Sequence, residues 1–202
     1  MINSINSALR KVPAGTIYIV GAAYAAWLFY SALQGWMGPE PINALEREYG
    51  ELALKLLIVG LAITPLRTHL NLNLIKFRRA IGVTTFFFVL AHLTVWAVLD
   101  VQSVSAIWAD LVKRPYITVG FAGFLLLLPL AITSNNFAVR KLGPIKWRKL
   151  HKLTYPAVLL GGIHFIWLVR GWPLEPFIYM AIILGLLALR MISKRKPRAA
   201  RA

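Results

Sequence analysis

The sequence has no cysteine among its 202 residues. That absence excludes disulfide bonds, thiolate metal sites and cysteine-bound iron–sulfur clusters. The sequence also lacks a glycine-rich phosphate loop, a repeat of fixed period and a stretch suited to a soluble domain, so it predicts no nucleotide-binding module. Only four histidines occur, at positions 69, 92, 151 and 164.

Acidic residues are scarce: seven Asp and Glu stand against 23 Lys and Arg, for a net charge of +16. The basic residues form blocks between long apolar runs, and membrane topology explains this distribution better than a nucleic-acid-binding face. The hydrophobic share of 58% and the mean hydropathy of +0.65 exceed what a soluble domain of this length carries. We therefore expect an integral membrane protein that does not bind nucleic acid.

Six apolar runs are candidates for transmembrane helices, which need about 17–25 residues. Their approximate bounds are 14–35, 51–66, 80–99, 115–133, 153–169 and 174–191. The first run is too long for the apolar core of a signal peptide and lacks a clear cleavage site, so we interpret it as a retained helix. The predicted fold is an all-α integral membrane protein, a six-transmembrane-helix bundle that forms a single domain over residues 1–202.

The Lys and Arg residues predict the orientation of this bundle. With the N-terminus inside, the inside segments hold 18 of the 23 basic residues and the outside segments hold five. Because basic residues are enriched in cytoplasmic loops, both termini are predicted to be cytoplasmic, with the basic segment 194–201 as the cytoplasmic end. All seven acids fall on the outer side.

Further expectations concern individual segments. Residues 35–50 are expected to form an outer loop, either solvated or used to dock a partner. The second run begins with Glu51 and Lys55, an ion pair at i,i+4 spacing. The fourth run has no Asp, Glu, Lys, Arg or His and is expected to be a structural wall, and the sixth is expected to be apolar and featureless.

Two histidines lie inside apolar runs at matched depth. His92 lies about 18 Å along the third run and His164 about 20 Å along the fifth, both counted from the inner side at 1.5 Å per residue. Two histidines at one depth on different helices can ligate one haem iron from both faces. No third histidine or carboxylate lies at that depth to suggest zinc. The alternative is that each is a lone polar residue hydrogen-bonded across helices, but the matched pair favours haem.

His151 lies at the inner boundary, thirteen residues before His164. It is either a ligand of a second, inner haem or an interfacial histidine in a basic cluster. The positions thirteen and fourteen residues before His92, which would supply its partner, are Arg79 and Arg78. Thirteen steps of 100° place His151 about 140° from His164 on an ideal helix. Pro156 lies between the two and is expected to disrupt the helix, and a kink or bulge there would restore their alignment.

Five residues are candidate cofactor contacts. Gly161 precedes His164 by less than one turn and Gly82 shares a helical stripe with His92, so a flat macrocycle would approach the backbone there. Arg78, Arg79 and Arg148 either bind the carboxylates of a haem or the phosphate of a flavin, or supply ordinary positive-inside charge.

Several motifs resemble those of a known family. Six runs with histidines on the third and fifth are similar to the ferric-reductase-like transmembrane superfamily. Within it, the sequence resembles the MsrQ (older name YedZ) family, the haem-binding membrane subunits of a bacterial periplasmic methionine sulfoxide reductase system. The resemblance runs from about residue 50 to 170. It rests on ITPLR at 63–67, RRAIG at 78–82, AHL at 91–93, KRPYITVGF at 113–121, LPLAITS at 128–134 and WRKLH at 147–151.

The resemblance implies a b-type cytochrome of the bacterial inner membrane that contains haem b. Its expected electron donor is the quinone pool or a cytoplasmic flavin reductase. Its expected partner is a periplasmic molybdopterin catalytic subunit (MsrP type), on which methionine sulfoxide in proteins is reduced. The family is also associated with FMN. His92, His151 and His164 match its haem-associated histidines, but larger relatives carry a fourth histidine on helix 3 where this chain has arginine.

Two other functions stay open at this point. One is a stand-alone ferric or quinone reductase that acts at the outer surface without a partner. The other is a non-redox transporter or assembly protein with buried polar histidines. If the chain is an electron conduit, the outer segments 35–50, 100–114 and 170–175 are the expected docking face.

Overall fold

The computed structural model describes residues 2–169 and 171–195, and this part of the chain is all-helical, as predicted. The α-helices are α1 (Ile2–Lys11), α2 (Thr16–Leu33), α3 (Pro41–Leu70), α4 (Arg78–Thr94), α5 (Val104–Lys113), α6 (Pro115–Ile132), α7 (Asn136–Leu150), α8 (Thr154–Leu168) and α9 (Leu174–Arg195). Short 3₁₀ turns, Ile75–Phe77 and His151–Leu153, precede α4 and α8. A π-helix, Val95–Val101, continues α4.

Five helical segments in the described part of the chain are long and apolar enough to cross a membrane. They are Thr16–Leu33, Pro41–Leu70, Ile75–Val101, Pro115–Ile132 and Leu174–Ile192. The predicted span 153–169 corresponds to α8, which has 15 residues. Its length of about 22 Å is shorter than the apolar thickness of a bilayer, about 30 Å. The five long segments indicate a membrane protein with several apolar helices. Helix α8 is the shortest of the helices that correspond to the six predicted spans.

Helix α3 is the centre of the bundle and packs against α2, α4, α8 and α9. It begins earlier than predicted because Pro41 occupies its first turn, where a missing N–H costs nothing. The prediction of an outer loop over 35–50 is therefore wrong from Pro41 onward. Leu45 and Tyr49 are buried in this first part of α3, and the Tyr49 hydroxyl donates to the Ala25 carbonyl of α2 at 2.7 Å.

Two apolar clusters lie on different sides of α3. The first joins α3, α6, α8 and α9, and its most buried members are Leu61, Val158 and Ile183. The second joins α2, α3 and α4, and includes Leu28 and Phe88. Together they hold α3, α4, α6 and α8 side by side, and the candidate functional site lies between these four helices. The predicted ion pair Glu51–Lys55 forms on α3.

Helix α9 carries a buried arginine, so the prediction of a featureless apolar helix is wrong. Arg190 is only 7% exposed, and its Nε and Nη2 donate to the Leu61 carbonyl of α3 at 3.1 and 2.6 Å. Leu61 precedes Pro65 by four residues, and proline has no N–H to complete the helical bond to that carbonyl. Arg190 Nη1 also donates to the Tyr155 hydroxyl at 3.0 Å. A side chain of α9 thus satisfies a carbonyl that proline leaves free on α3.

Three helices occupy segments outside the predicted spans. The N-terminal lead forms α1, the segment 100–114 contains α5, and the segment before the fifth predicted span contains α7. Helix α7 is interrupted at Gly143, where φ is 73°, directly before Pro144. Of the predicted basic end 194–201, the backbone of α9 includes the part up to Arg195, and the remainder lies outside the described residues.

Candidate functional site

His92 on α4 and His164 on α8 lie against each other inside the bundle. Their ring centroids are 6.2 Å apart and their ring planes are inclined at 76°. The count of helical rise in the sequence placed them at one depth, and the structure brings the two side chains together.

Each of these imidazoles is held by a backbone carbonyl of a neighbouring helix. His92 Nδ1 lies 2.8 Å from the Glu46 carbonyl oxygen of α3, and His164 Nδ1 lies 2.7 Å from the Tyr116 carbonyl oxygen of α6. A carbonyl only accepts, so Nδ1 carries the proton in both rings. Nε2 is then the unprotonated nitrogen, which is the form of histidine that ligates a metal.

The two histidines line a cavity of about 320 Å³ between α3, α4, α6 and α8, which we call the histidine-pair cavity. This volume lies in the range of small-molecule and cofactor sites. Aromatic side chains form much of its wall: Trp96, Phe121, Phe124 and Phe165. Glycines line it on three helices: Gly50, Gly120, Gly123 and Gly161. The wall is therefore mostly apolar, with bare backbone where glycines lie.

Polar side chains also line the histidine-pair cavity. They are Asn43, Glu46, Arg47, Glu51, Asp100 and Arg114. Arg114 is paired with Asp110 at 3.2 Å. The cationic groups among them suit the carboxylates of a bound group.

This set of residues fits a haem. Two imidazoles whose Nδ1 atoms are held by carbonyls lie 6.2 Å apart between ring centroids, and two histidines from different helices are a ligand set for a haem iron. Apolar walls and glycines leave room for a flat macrocycle, and the guanidinium groups of Arg47 and Arg114 can donate to its carboxylates. In the described part of the chain, no three His, Asp or Glu side chains converge into a cluster that could hold a metal ion alone.

His151 lies in a different environment, in the 3₁₀ turn before α8. Its ring stacks on Trp147 with centroids 3.8 Å apart, and its Nε2 lies 3.1 Å from the Thr133 hydroxyl. Burial, together with the charges of Arg78 and Arg79, lowers the pKa of His151 to about 4. His151 is therefore neutral at pH 7. We call His151, Trp147, Thr133, Arg78 and Arg79 the His151 cluster.

Pro156 lies in the first turn of α8 and not inside one continuous helix from His151 to His164, so the disruption predicted between the two histidines does not depend on a kink or bulge at this proline. Pro156 is the third residue of α8, and the N–H groups of a first helical turn have no partner within the helix. The break between His151 and His164 lies earlier, in the 3₁₀ turn His151–Leu153.

The predicted cofactor contacts separate into two groups. Gly161 lines the histidine-pair cavity. Gly82 faces open space, with nothing within 4 Å of where a Cβ would lie. Arg79 Nη1 donates to the Asn136 side chain of α7 at 2.7 Å, and Arg148 is exposed on α7. Among the described residues, Arg78 belongs with Arg79 to the His151 cluster and not to the cavity.

Two helices contribute to this site in ways that the sequence patterns did not predict. The start of α3 was assigned to a loop, although Leu45 and Tyr49 have the i,i+4 spacing of a buried helical face. Helix α6 was predicted to be a structural wall, but it supplies the Tyr116 carbonyl, Gly120 and Phe124. A backbone carbonyl leaves no signal in the sequence.

Comparison with known proteins gives consistent matches. A family model described as the ferric reductase like transmembrane component matches residues 49–162. Curated proteins from Brucella anthropi, Brucella ovis and Brucella canis, each named protein-methionine-sulfoxide reductase heme-binding subunit MsrQ, are 42% identical over 186 residues. The alignments cover 90% of this chain and 84% of each relative. No solved structure matches.

Proposed function

The chain belongs to the MsrQ family of ferric-reductase-like membrane proteins, and from this premise we propose that it is a b-type cytochrome of the bacterial inner membrane. The observation that carries the proposal is the histidine pair. His92 and His164 come from different helices, lie 6.2 Å apart between ring centroids, and have Nδ1 bound to a carbonyl. The relatives are named as heme-binding subunits, and this arrangement supports the same cofactor here.

When bound, haem supplies one-electron chemistry, with its iron alternating between Fe(III) and Fe(II). The residues of this chain decide how that chemistry is used. His92 and His164 would hold the haem iron through their Nε2 atoms, since backbone carbonyls hold Nδ1 of both rings. Mostly apolar walls from α3, α4, α6 and α8 would surround the bound group. The chain therefore relays electrons, and substrate is reduced on another subunit.

The proposed electron path runs across the membrane. Six spans with cytoplasmic termini are inferred from the distribution of 18 inside and five outside basic residues. Electrons enter from quinol or reduced flavin and leave toward a periplasmic molybdopterin methionine sulfoxide reductase of the MsrP type. The name of the relatives, subunits of a protein-methionine-sulfoxide reductase, supports such a partner. Helix α5, with Val104, Trp108 and Val112 exposed, belongs to the proposed docking face.

The His151 cluster is the proposed place of any second cofactor. His151 would ligate an inner haem, or Arg78, Arg79 and Arg148 would bind the phosphate of FMN. The neutral state of His151 and the basic side chains near it support this assignment.

The test is the cofactor content of detergent-purified protein expressed with ample haem. We expect Soret and α bands of a b-type cytochrome, and iron, porphyrin and FMN per chain give the stoichiometry. His92→Ala should lose the bands of the histidine-pair cavity. His69→Ala is the matched control, because His69 is exposed at the end of α3.

Two results would contradict the proposal. Wild-type protein without b-type bands favours a non-redox membrane protein. Rapid reduction of a ferric chelate by the purified chain without a partner favours a stand-alone reductase.

A further inference from the structure

The two histidines of the cavity meet their neighbouring helices in the same way. His92 bonds to the carbonyl of Glu46, and four residues later on α3 stands Gly50. His164 bonds to the carbonyl of Tyr116, and four residues later on α6 stands Gly120. The pairs α3–α4 and α6–α8 thus share one arrangement, in which residue i of a helix supplies the carbonyl acceptor and residue i+4 is glycine.

Both glycines lie directly under an imidazole. A Cβ added at Gly50 would lie 2.9 Å from His92 Nδ1 and 3.1 Å from its Cε1. A Cβ added at Gly120 would lie 2.7 Å from His164 Nδ1 and 2.9 Å from its Cε1. In both cases the three nearest atoms belong to the histidine ring. The space that each missing side chain leaves is therefore filled by the ligand imidazole itself.

Helix geometry explains the spacing of four residues. The carbonyl of residue i accepts the N–H of residue i+4 in an α-helix and keeps a second lone pair for another donor. Side chains tilt toward the helix N-terminus, so a side chain at i+4 would cover that carbonyl. Glycine at i+4 is the residue that leaves it open to a ring from a neighbouring helix.

We propose that Gly50 and Gly120 are positioning residues for the two histidines of the histidine-pair cavity. Each lets an imidazole reach the carbonyl one turn earlier, which fixes the proton on Nδ1 and aims Nε2 into the cavity. This inference rests on the proposed haem site, since it concerns the same histidines. Hydrogen bonding of a ligand imidazole to a carbonyl raises its basicity, and loss of such a partner typically weakens metal binding about 10- to 100-fold.

The first experiment measures haem affinity and spin state of Gly50→Ala and Gly120→Ala. We expect affinity to fall about 10- to 100-fold and the remaining haem to become partly five-coordinate and high-spin, and to bind carbon monoxide when reduced. Gly60→Ala is the matched control on α3, because the nearest atom to its added Cβ is Ile81 Cγ2 at 3.7 Å. It should keep the wild-type low-spin spectrum. Free imidazole should restore six-coordination in the two test variants.

The second experiment separates this role from simple helix packing. It measures accumulation and thermal stability of Gly50→Ala in a His92→Ala background, without reliance on haem. Because the three nearest atoms to the added Cβ belong to His92 and alanine is a better helix former than glycine, the double variant should be at least as stable as His92→Ala alone. The same comparison applies to Gly120→Ala with His164→Ala. This cycle gives an answer even where a single glycine variant fails to accumulate.

The outcomes distinguish this inference from the proposed function. Wild-type protein without haem overturns the proposed function. Wild-type protein with haem, together with glycine variants that keep low-spin spectra and do not bind carbon monoxide, overturns the positioning role. A glycine variant that stays destabilised after its histidine is removed also overturns it, since packing would then be the cause.

Discussion

The histidine-pair cavity and the His151 cluster present their imidazoles in opposite ways. In the cavity, backbone carbonyls occupy Nδ1 of His92 and His164 and leave Nε2 for a ligand. In the His151 cluster, Nε2 lies against the Thr133 hydroxyl and the ring face is covered by Trp147. His151 and His164 lie thirteen residues apart in the sequence, but their suitability as metal ligands depends on which ring nitrogen the neighbours occupy.

The largest effect is expected when one histidine is replaced in each region, in two separate variants. His164→Ala removes one of two axial ligands, so haem bound in the cavity should fall by at least about tenfold. His151→Ala should leave that haem and its spectrum in place. Pyridine haemochrome content and Soret position of both variants provide the measurement. Equal loss in the two variants would mean that the regions form one site.

An intermediate effect is expected where α9 supports the helices of both regions. Arg190→Leu leaves the Leu61 carbonyl without a donor, and it should lower the free energy of unfolding by about 3 kcal/mol, since hydrogen bonds to charged groups contribute about 1.5–3 kcal/mol each. Denaturation in detergent measures the change, and Met191→Leu, at an exposed neighbouring position, is the control.

Pro65→Ala provides a matched rescue for that variant. It restores an N–H four residues after Leu61, so it should recover part of the stability lost in Arg190→Leu. If the double variant is no more stable than Arg190→Leu, the freed carbonyl is not the reason for the buried arginine.

The smallest effect is expected at the contact that makes His151 different. Thr133→Val removes the hydroxyl from Nε2 with little change of volume, so it should change stability by less than about 1.5 kcal/mol. The spectrum of the histidine-pair cavity should stay the same. A shift of its Soret band on this substitution would show that the two regions are coupled.

Features that depend only on fixed helix geometry can be predicted best from the sequence. His92 and His164 can be placed at one depth because the rise per residue is constant and the inner end of each apolar run is visible. The ion pair Glu51–Lys55 is predictable from spacing on one helix in the same way. Such features need no knowledge of which helices are neighbours.

Features that depend on a match between distant segments cannot be predicted from either segment alone. Arg190 lies in the sixth apolar run, 174–191, which is expected to be featureless because nothing near it shows that Pro65, on another helix, frees a carbonyl for it. The role of Gly50 and Gly120 can be recognised only from the contacts that His92 and His164 make with them in the folded chain. The start of α3 was hidden by prolines and acids that are typical of loops, although Pro41 also suits a first helical turn.

The π-helix after α4 has a consequence for the length of this segment in relatives. His92, Trp96 and Asp100 all line the cavity at steps of four residues. In a regular α-helix, side chains four residues apart differ by about 40° in their direction around the helix axis. The wider turns of the π-helix Val95–Val101 counteract that rotation. A one-residue deletion within 95–101 would restore a regular helix and rotate Asp100 away. In an alignment, a single gap at this position would therefore mark a change in the cavity wall, whereas gaps in a surface connection would be neutral.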